Sequence, residues 1–360
     1  MVVKFSTAPK HDEIEFTVFG PGVGESSLLH YGDNEWLIVD SCSYQHVNPA
    51  YQYLKNLGLN PSKCVKKIIL THWHDDHIKG AAKLIEDCKC AEVYISGAFF
   101  CSRFTDVILD SSFSISTDRP TGVSNIIKVL FTLKFSQRKL YFLQENTCVI
   151  KKNNLEVFAL SPSNYEVKKS LNSIISQMKK NKNSNGVFDQ KVQAPSPNDI
   201  SISLYCNFEN LNKSILLGAD LENSGWEYMK ENLRNIDYPK SHVYKVSHHG
   251  SLNANHEFVW NHLLTDKPIS IIAPKTSSRL PAKEGIDTIK TKSSETYITY
   301  VEPVNNDRRV TSNDRYAQNC INSKRSVQKI PQKHDSFICL RYEQGKQVFD
   351  NRLSGNAQRV

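Results

Sequence analysis

The residues from His72 to His77 spell His-x-His-x-Asp-His, which places four metal-ligating side chains within six positions. Imidazole and carboxylate together suit zinc and its first-row neighbours. The flanking sequence says what would carry them. Cys64-Val65-Lys66-Lys67-Ile68-Ile69-Leu70 is β-branched and apolar and predicts a buried strand. His72 and His74, two residues apart at the strand's exit, point to the same side. Asp76 and His77 then fall on a loop, and Ile78 to Ile85 opens a helix behind them. A strand end, a tight turn and a helix start hold such a cluster rigidly. The bland alternative, a His-rich surface turn, has no need of that strand or that helix.

Three more strand exits carry the same residue types. Trp36-Leu37-Ile38-Val39 runs into Asp40, and Ser214-Ile215-Leu216-Leu217-Gly218-Ala219 runs into Asp220. Val243-Tyr244-Lys245-Val246 leads into Ser247-His248-His249-Gly250-Ser251. A lone Asp at a strand end often just caps the next helix. Three such exits in this order make a pattern, and it resembles the metallo-β-lactamase fold signature.

That resemblance implies an α/β fold, the αβ/βα four-layer sandwich with insertions, with the metal site at one edge. It implies metal ligands His72, His74, Asp76, His77, Asp220 and His249. His72 and His74 would hold one ion together with His249 or His248, and Asp76 and His77 the other, with Asp220 between. Either His248 or His249 fits as the closing ligand; His249 is favoured, with His248 facing the substrate. The catalytic set would be Asp76, His248, Asp40 and Lys275. Asp40 orients a ligand from behind, and His248 or Lys275 stabilises the leaving oxygen. The implied cofactor is Zn²⁺ or Mn²⁺, two ions with the second held more weakly. The weaker hold follows from a departure: no His lies between His77 and His242, where many such folds place another ligand. The matching strand end is Val157-Phe158-Ala159-Leu160-Ser161-Pro162.

Finer resemblance narrows the branch. Gly22-Val23-Gly24-Glu25-Ser26-Ser27-Leu28-Leu29, Asn198-Asp199-Ile200-Ser201-Ile202-Ser203-Leu204 and His248-His249-Gly250-Ser251 follow one another in order. The set is similar to the ComEC-like branch, named for the hydrolase domain of the bacterial DNA-uptake channel protein, over roughly residues 15 to 300. It also resembles hydrolases found beside anti-phage defence genes. The resemblance implies a nuclease or phosphodiesterase acting on DNA, or on RNA, through metal-activated hydroxide, as the effector of an anti-phage system with a regulatory protein partner. Two other readings stay open: a metallohydrolase of a small ester, thioester or lactam, and a non-enzymatic subunit of a larger complex.

Charge and composition bound these readings. A net charge of +8 over 360 residues favours an anionic partner such as nucleic acid. Basic residues gather at Lys179-Lys180, Arg308-Arg309, Arg315, Lys324-Arg325, Lys329 and Lys333. The absence of a long apolar run or a leader-like start predicts a cytoplasmic chain with no membrane span. Nine cysteines without a disulfide-like framework predict buried thiols, Cys42 among them near the site; Cys88-Lys89-Cys90 is a weak zinc-knuckle pattern. Residues 1–350 read as one hydrolase domain, with 98–150 an insertion near the site mouth, 303–335 a basic mobile segment and 351–360 a tail. Gly20 to Gly24 reads as a turn, 179–198 as a mobile loop, His256 to Leu264 as a helix, and 336–349 as a hairpin closing the second sheet.

Overall fold

The computed structural model describes residues 7–99, 121–152, 155–181, 197–232, 238–302, 336–343 and 349–360. The chain runs through β1 (Ile14–Phe19), β2 (Ser26–His30), β3 (Trp36–Val39), β4 (Val65–Leu70), β5 (Glu92–Ser96) and β6 (Leu140–Leu143). It continues through β7 (Thr147–Lys152), β8 (Leu155–Ala159), β9 (Leu204–Phe208), β10 (Lys213–Leu217), β11 (Ser241–Lys245), β12 (Leu264–Ile272) and β13 (Glu295–Ile298). It ends with β14 (Phe337–Tyr342), β15 (Asp350–Ser354) and β16 (Gln358–Arg359). Among the described residues these form two sheets, β15-β14-β1-β2-β3-β4-β5-β6 and β16-β13-β12-β11-β10-β9-β8-β7.

Both sheets are mixed: β3 to β6 are parallel at one side of the first, and β10 to β13 form a parallel run in the second, with antiparallel β9 to β7 on one flank and antiparallel β16 on the other. Parallel neighbours need crossovers, and the crossovers bury both strand faces. That is why Ile68-Ile69-Leu70 and Ile215-Leu216-Leu217 are continuous apolar runs rather than alternating ones. Between the sheets, Phe16, Val39 and Ile69 meet Val157, Leu217 and Ile271. Outside the first sheet, Trp36 and Ile68 pack on Leu54, Ile85 and Val129 of helices Pro49–Asn56, Ala81–Asp87 and Thr121–Phe135. Outside the second, Leu216 and Tyr244 pack on Trp226 and Ile289 of helices Asn223–Asn232 and Lys283–Lys292. The layers are therefore helix, sheet, sheet, helix, as expected.

The ends of the chain depart from expectation. The hairpin of β14 and β15 belongs to the first sheet, not the second. The cross-strand pair Glu15 and Arg341 fixes it there, with Arg341 Nε donating to Glu15 Oε2 at 2.9 Å and the Tyr53 hydroxyl to Glu15 Oε1 at 2.7 Å. A buried charge pair satisfied in this way specifies one neighbour. Residues 351–360 are no tail, because β15 lies in them and β16 pairs with β13 to close the second sheet. The 98–150 stretch is also not a simple insertion: it supplies helix Thr121–Phe135 and two sheet-edge strands, β6 and β7. Its mixed periodicity is that of a helix followed by a strand. The expected helix at 256–264 is present as a short helical stretch over 257–263 whose last turn, Val259–Leu263, is π-helical and runs straight into β12. Residues 100–120, 182–196 and 303–335, which include most of the expected mobile loop and the late basic cluster, lie outside the described residues.

One core imidazole makes stability pH-dependent. His30 Nδ1 donates to the Glu13 carbonyl at 2.8 Å and its ring packs at a tilt against Trp36. Burial, aided by the Arg341 charge and against that hydrogen bond, pushes its pKa down to about 4. The unfolded chain then binds more protons between about pH 6.5 and pH 4, so stability falls as pH drops through that window. His30→Gln keeps a donor but cannot titrate. In urea unfolding of chelator-treated protein, the wild type should lose about 2 kcal/mol more than the variant between pH 7.5 and pH 5. Parallel losses in the two proteins would refute this assignment.

Candidate metal centre

The predicted ligands converge where the C-terminal ends of β3, β4, β10 and β11 meet at one edge of the sandwich. Backbone bonds knit these exits together. The Asp40 amide donates to Ile69 O, the Ser41 amide to His77 O at 2.7 Å, the Glu25 amide to Asp76 O at 3.0 Å and the His248 amide to Ala219 O at 2.8 Å. Asp40, Ala219, His248 and His249 all hold positive φ, between 44° and 63°. Such a cluster of strained non-glycine residues persists only where the surroundings over-determine it. Asp76 and His77 sit not on a loop but in a helical turn, Asp75–Ile78.

The imidazoles are oriented from behind. His77 Nδ1 donates to Asp40 Oδ2 at 2.8 Å, and His249 Nδ1 donates to the Ala273 carbonyl at 2.8 Å. His72 Nδ1 lies 3.1 Å from the Thr71 hydroxyl, which itself donates to Asp40 Oδ2 at 2.7 Å. Each partner fixes a proton on Nδ1, so each Nε2 presents its lone pair inward. Asp40 thus lies behind His77 and, through Thr71, behind His72.

The inward atoms form two groups sharing one carboxylate. His77 Nε2 lies 3.2 Å from Asp220 Oδ1 and 3.6 Å from Asp76 Oδ2, while His249 Nε2 lies 2.9 Å from Asp76 Oδ2 and 3.5 Å from Asp220 Oδ2. His72 Nε2 lies 3.7 Å from Asp220 Oδ2 and 3.0 Å from His74 Nδ1. His249 therefore joins Asp76 and His77, not His72 and His74, which corrects the expected pairing. The ligand spacing suits two cation pockets, His72/His74/Asp220 and Glu25/His77/Asp220/His249, with Asp76 Oδ2 also within reach of His77 and His249 in the second. His248 is the rim residue, with Nδ1 3.3 Å from Glu222 Oε1 and Nε2 3.9 Å from Asp220 Oδ2. Lys275 Nζ pairs with Asp76 Oδ2 at 2.9 Å.

The donors fit a divalent ion. Both Asp220 oxygens and His77 Nε2 are buried yet make no hydrogen bond. Orphaned acceptors of that kind call for an explanation, and a cation supplies it. Burial, against Asp220 and Asp76, holds His72 well below the ordinary imidazole range. At His77 and His249 burial pulls the same way but is outweighed by Asp220 and its neighbouring carboxylates. His77 ends well above its usual value and His249 at about 9. For Asp220 those two imidazoles outweigh burial and hold it below the usual carboxylate range.

Sequence reasoning missed two members. Glu25, just before β2, lies 3.4 Å from His249 Nδ1 and 3.9 Å from His77 Nδ1. Lys245, at the end of β11, is buried and pairs with Glu25. Glu25 stood inside the Gly22–Leu29 stretch; a charge between two apolar strands was its only signal. Ser161, where another ligand was sought, donates instead to Ser201 O at 2.6 Å. Ser201 in turn accepts the Asp220 amide at 3.1 Å and lies 3.3 Å from His72 Nδ1. Cys42 is buried nearby, and Cys88 and Cys90 are both free.

Residues 19–115 match the model of the Metallo-beta-lactamase superfamily. No curated protein matches the chain in sequence. Among solved structures it is similar to the metallo-beta-lactamase fold protein YhfI from Bacillus subtilis, at 10% identity and a TM-score of 0.39, covering 81% of this chain and 97% of that one. It is also similar to MEM-A1, a subclass B3 metallo-beta-lactamase from a soil metagenome library, at 14% identity and a TM-score of 0.36, covering 68% and 81%. Among the described residues no helix is long and apolar enough to cross a membrane. Two mixed sheets between helical layers, with the Asp40 and His72–His77 exits inside the matching segment, give this chain the metallo-β-lactamase αβ/βα sandwich fold.

Proposed function

We propose that this chain is a metal-dependent hydrolase that cleaves phosphodiester bonds in nucleic acid. The observation that carries the hydrolase reading is the convergence of His72, His74, Asp76, His77, Asp220 and His249 around the buried, orphaned Asp220 oxygens. Divalent cations held by such donors activate water near neutral pH and offset charge on a substrate oxyanion. The chain's own residues do the rest. Asp40 holds His77 in its ligating tautomer. Lys275 places a cation at the rim beside Asp76. His248, part-exposed at the rim with Nδ1 3.3 Å from Glu222 Oε1, would stabilise a leaving oxygen. The net charge of +8 and the rim lysine favour a polyanionic substrate over a neutral one.

Supercoiled plasmid, linear duplex, single-stranded DNA and RNA, each with Mn²⁺, Zn²⁺, Mg²⁺ or chelator, test this reading. Metal-dependent cutting by the wild type, and none by Asp76→Ala, is the expected result. Turnover of a lactam or thioester without any cutting would replace the nucleic-acid reading with the small-substrate one.

A further inference from the structure

The two cation pockets are electrically unequal, and the buried pair Glu25–Lys245 makes them so. Around His77 and His249 stand four buried carboxylates, Asp40, Asp76, Asp220 and Glu25. Two ammonium groups face them: Lys275 on Asp76 and Lys245 on Glu25. Lys245 is 1% exposed and lies 3.4 Å from the Ala219 carbonyl, so it has no access to water. The second Glu25 oxygen has no hydrogen-bond donor and points to the His249 ring, 3.4 Å from Nδ1. Ligating imidazoles are neutral. Two of the four carboxylates are offset by lysines, and one divalent cation offsets the remaining two.

The His72/His74/Asp220 pocket has no such surplus. Its imidazoles bring no charge, its carboxylate is shared, and Ser161 stands where a further ligand was sought. A second divalent cation there would be a buried charge without a partner, which is strongly unfavourable. It becomes acceptable when an anion enters with it.

On the metal-binding reading above, we propose that Glu25 and Lys245 are positioning residues that set cation occupancy. The Asp76/His77/Asp220/His249 pocket keeps one resident cation, and the His72/His74/Asp220 pocket fills only together with an anionic group of the substrate.

The test is cation stoichiometry rather than turnover. Chelator-stripped full-length chain is titrated with Mn²⁺, with and without inorganic phosphate, and bound metal is measured directly. The wild type should bind one ion without phosphate, and phosphate should tighten a second at least tenfold. Lys245→Met leaves Glu25 uncompensated, so that variant should take two ions without phosphate. Glu25→Gln leaves Lys245 uncompensated and should weaken the resident ion roughly 10- to 100-fold. The double variant Glu25→Gln/Lys245→Met should return to one resident ion. A side-chain pair with only a scaffolding role would not move occupancy in opposite directions. Where a single variant does not fold by circular dichroism, the double variant and the wild-type phosphate arm decide. Two ions of equal affinity without phosphate in the wild type would overturn the inference. That result would leave the nuclease reading standing, just as failure to cut nucleic acid would leave the stoichiometry standing.

Discussion

Asp220→Ala is expected to lower kcat/KM at least about a thousandfold, roughly 4 kcal/mol of transition-state stabilisation, without unfolding the sandwich. Asp220 is the one carboxylate common to both pockets. It is fully buried, both its oxygens lack hydrogen bonds, and four imidazoles lie within 3.2 to 3.9 Å of them. Removing it takes an anionic ligand from each ion at once. Asp40→Ala should do less, about 10- to 100-fold, because Asp40 acts through His77 and Thr71 rather than on the cation. Turnover on the nucleic acid that the wild type cuts, together with bound metal, separates the two. An Asp220→Ala protein that retains both ions and its rate would remove the basis for the proposed site.

The difference between these two aspartates also marks what could be read from sequence. Both stand at the exit of an apolar run, and in parallel sheets such exits gather at one edge. Those exits, together with the resemblance of the His72–His77 motif, made Asp40, His72, His74, Asp76, His77, Asp220 and His249 legible as a group. Their partition was not. Whether His249 meets His72 or His77 depends on how the β11 exit, with positive φ at His248 and His249, sits against the β4 exit. No periodicity encodes that. Glu25 and Lys245 were hidden for another reason. They are 220 positions apart, Glu25 just before β2 of the first sheet and Lys245 on β11 of the second, and a charged residue beside an apolar strand ordinarily reads as solvent-facing. The same limit applied at the chain's end, where β14 was legible as a strand but its sheet was not. The choice rests on Arg341 meeting Glu15, a pairing visible only once β1 and β14 are side by side.

Gly24→Ala is expected to cost about 3 kcal/mol or more in stability and to weaken cation binding as well. In the sequence this glycine looked like part of a turn. In the fold it lies against the metal centre, with φ of +154°. A Cβ there would stand 2.2 Å from the Asp76 carbonyl oxygen, 2.8 Å from its carbon and 2.9 Å from its Cα. The obstacle is backbone, so no rotamer relieves it. Either the start of β2 or the Asp75–Ile78 turn has to move. They cannot move independently, because the Glu25 amide donates to that same carbonyl at 3.0 Å and the Ser41 amide to the next one at 2.7 Å. Displacement therefore passes directly to Asp76 and His77. Gly58→Ala is the matched comparison. Its φ is +76°, but nothing lies within 4 Å of the added atom, so it carries the backbone strain of about 1 kcal/mol without the clash. Denaturant unfolding and Mn²⁺ titration of both variants should show a small stability loss with unchanged cation affinity for Gly58→Ala, and losses in both for Gly24→Ala. If Gly24→Ala binds its cation as tightly as the wild type, the Gly24–Asp76 contact does not set the position of the ligand turn.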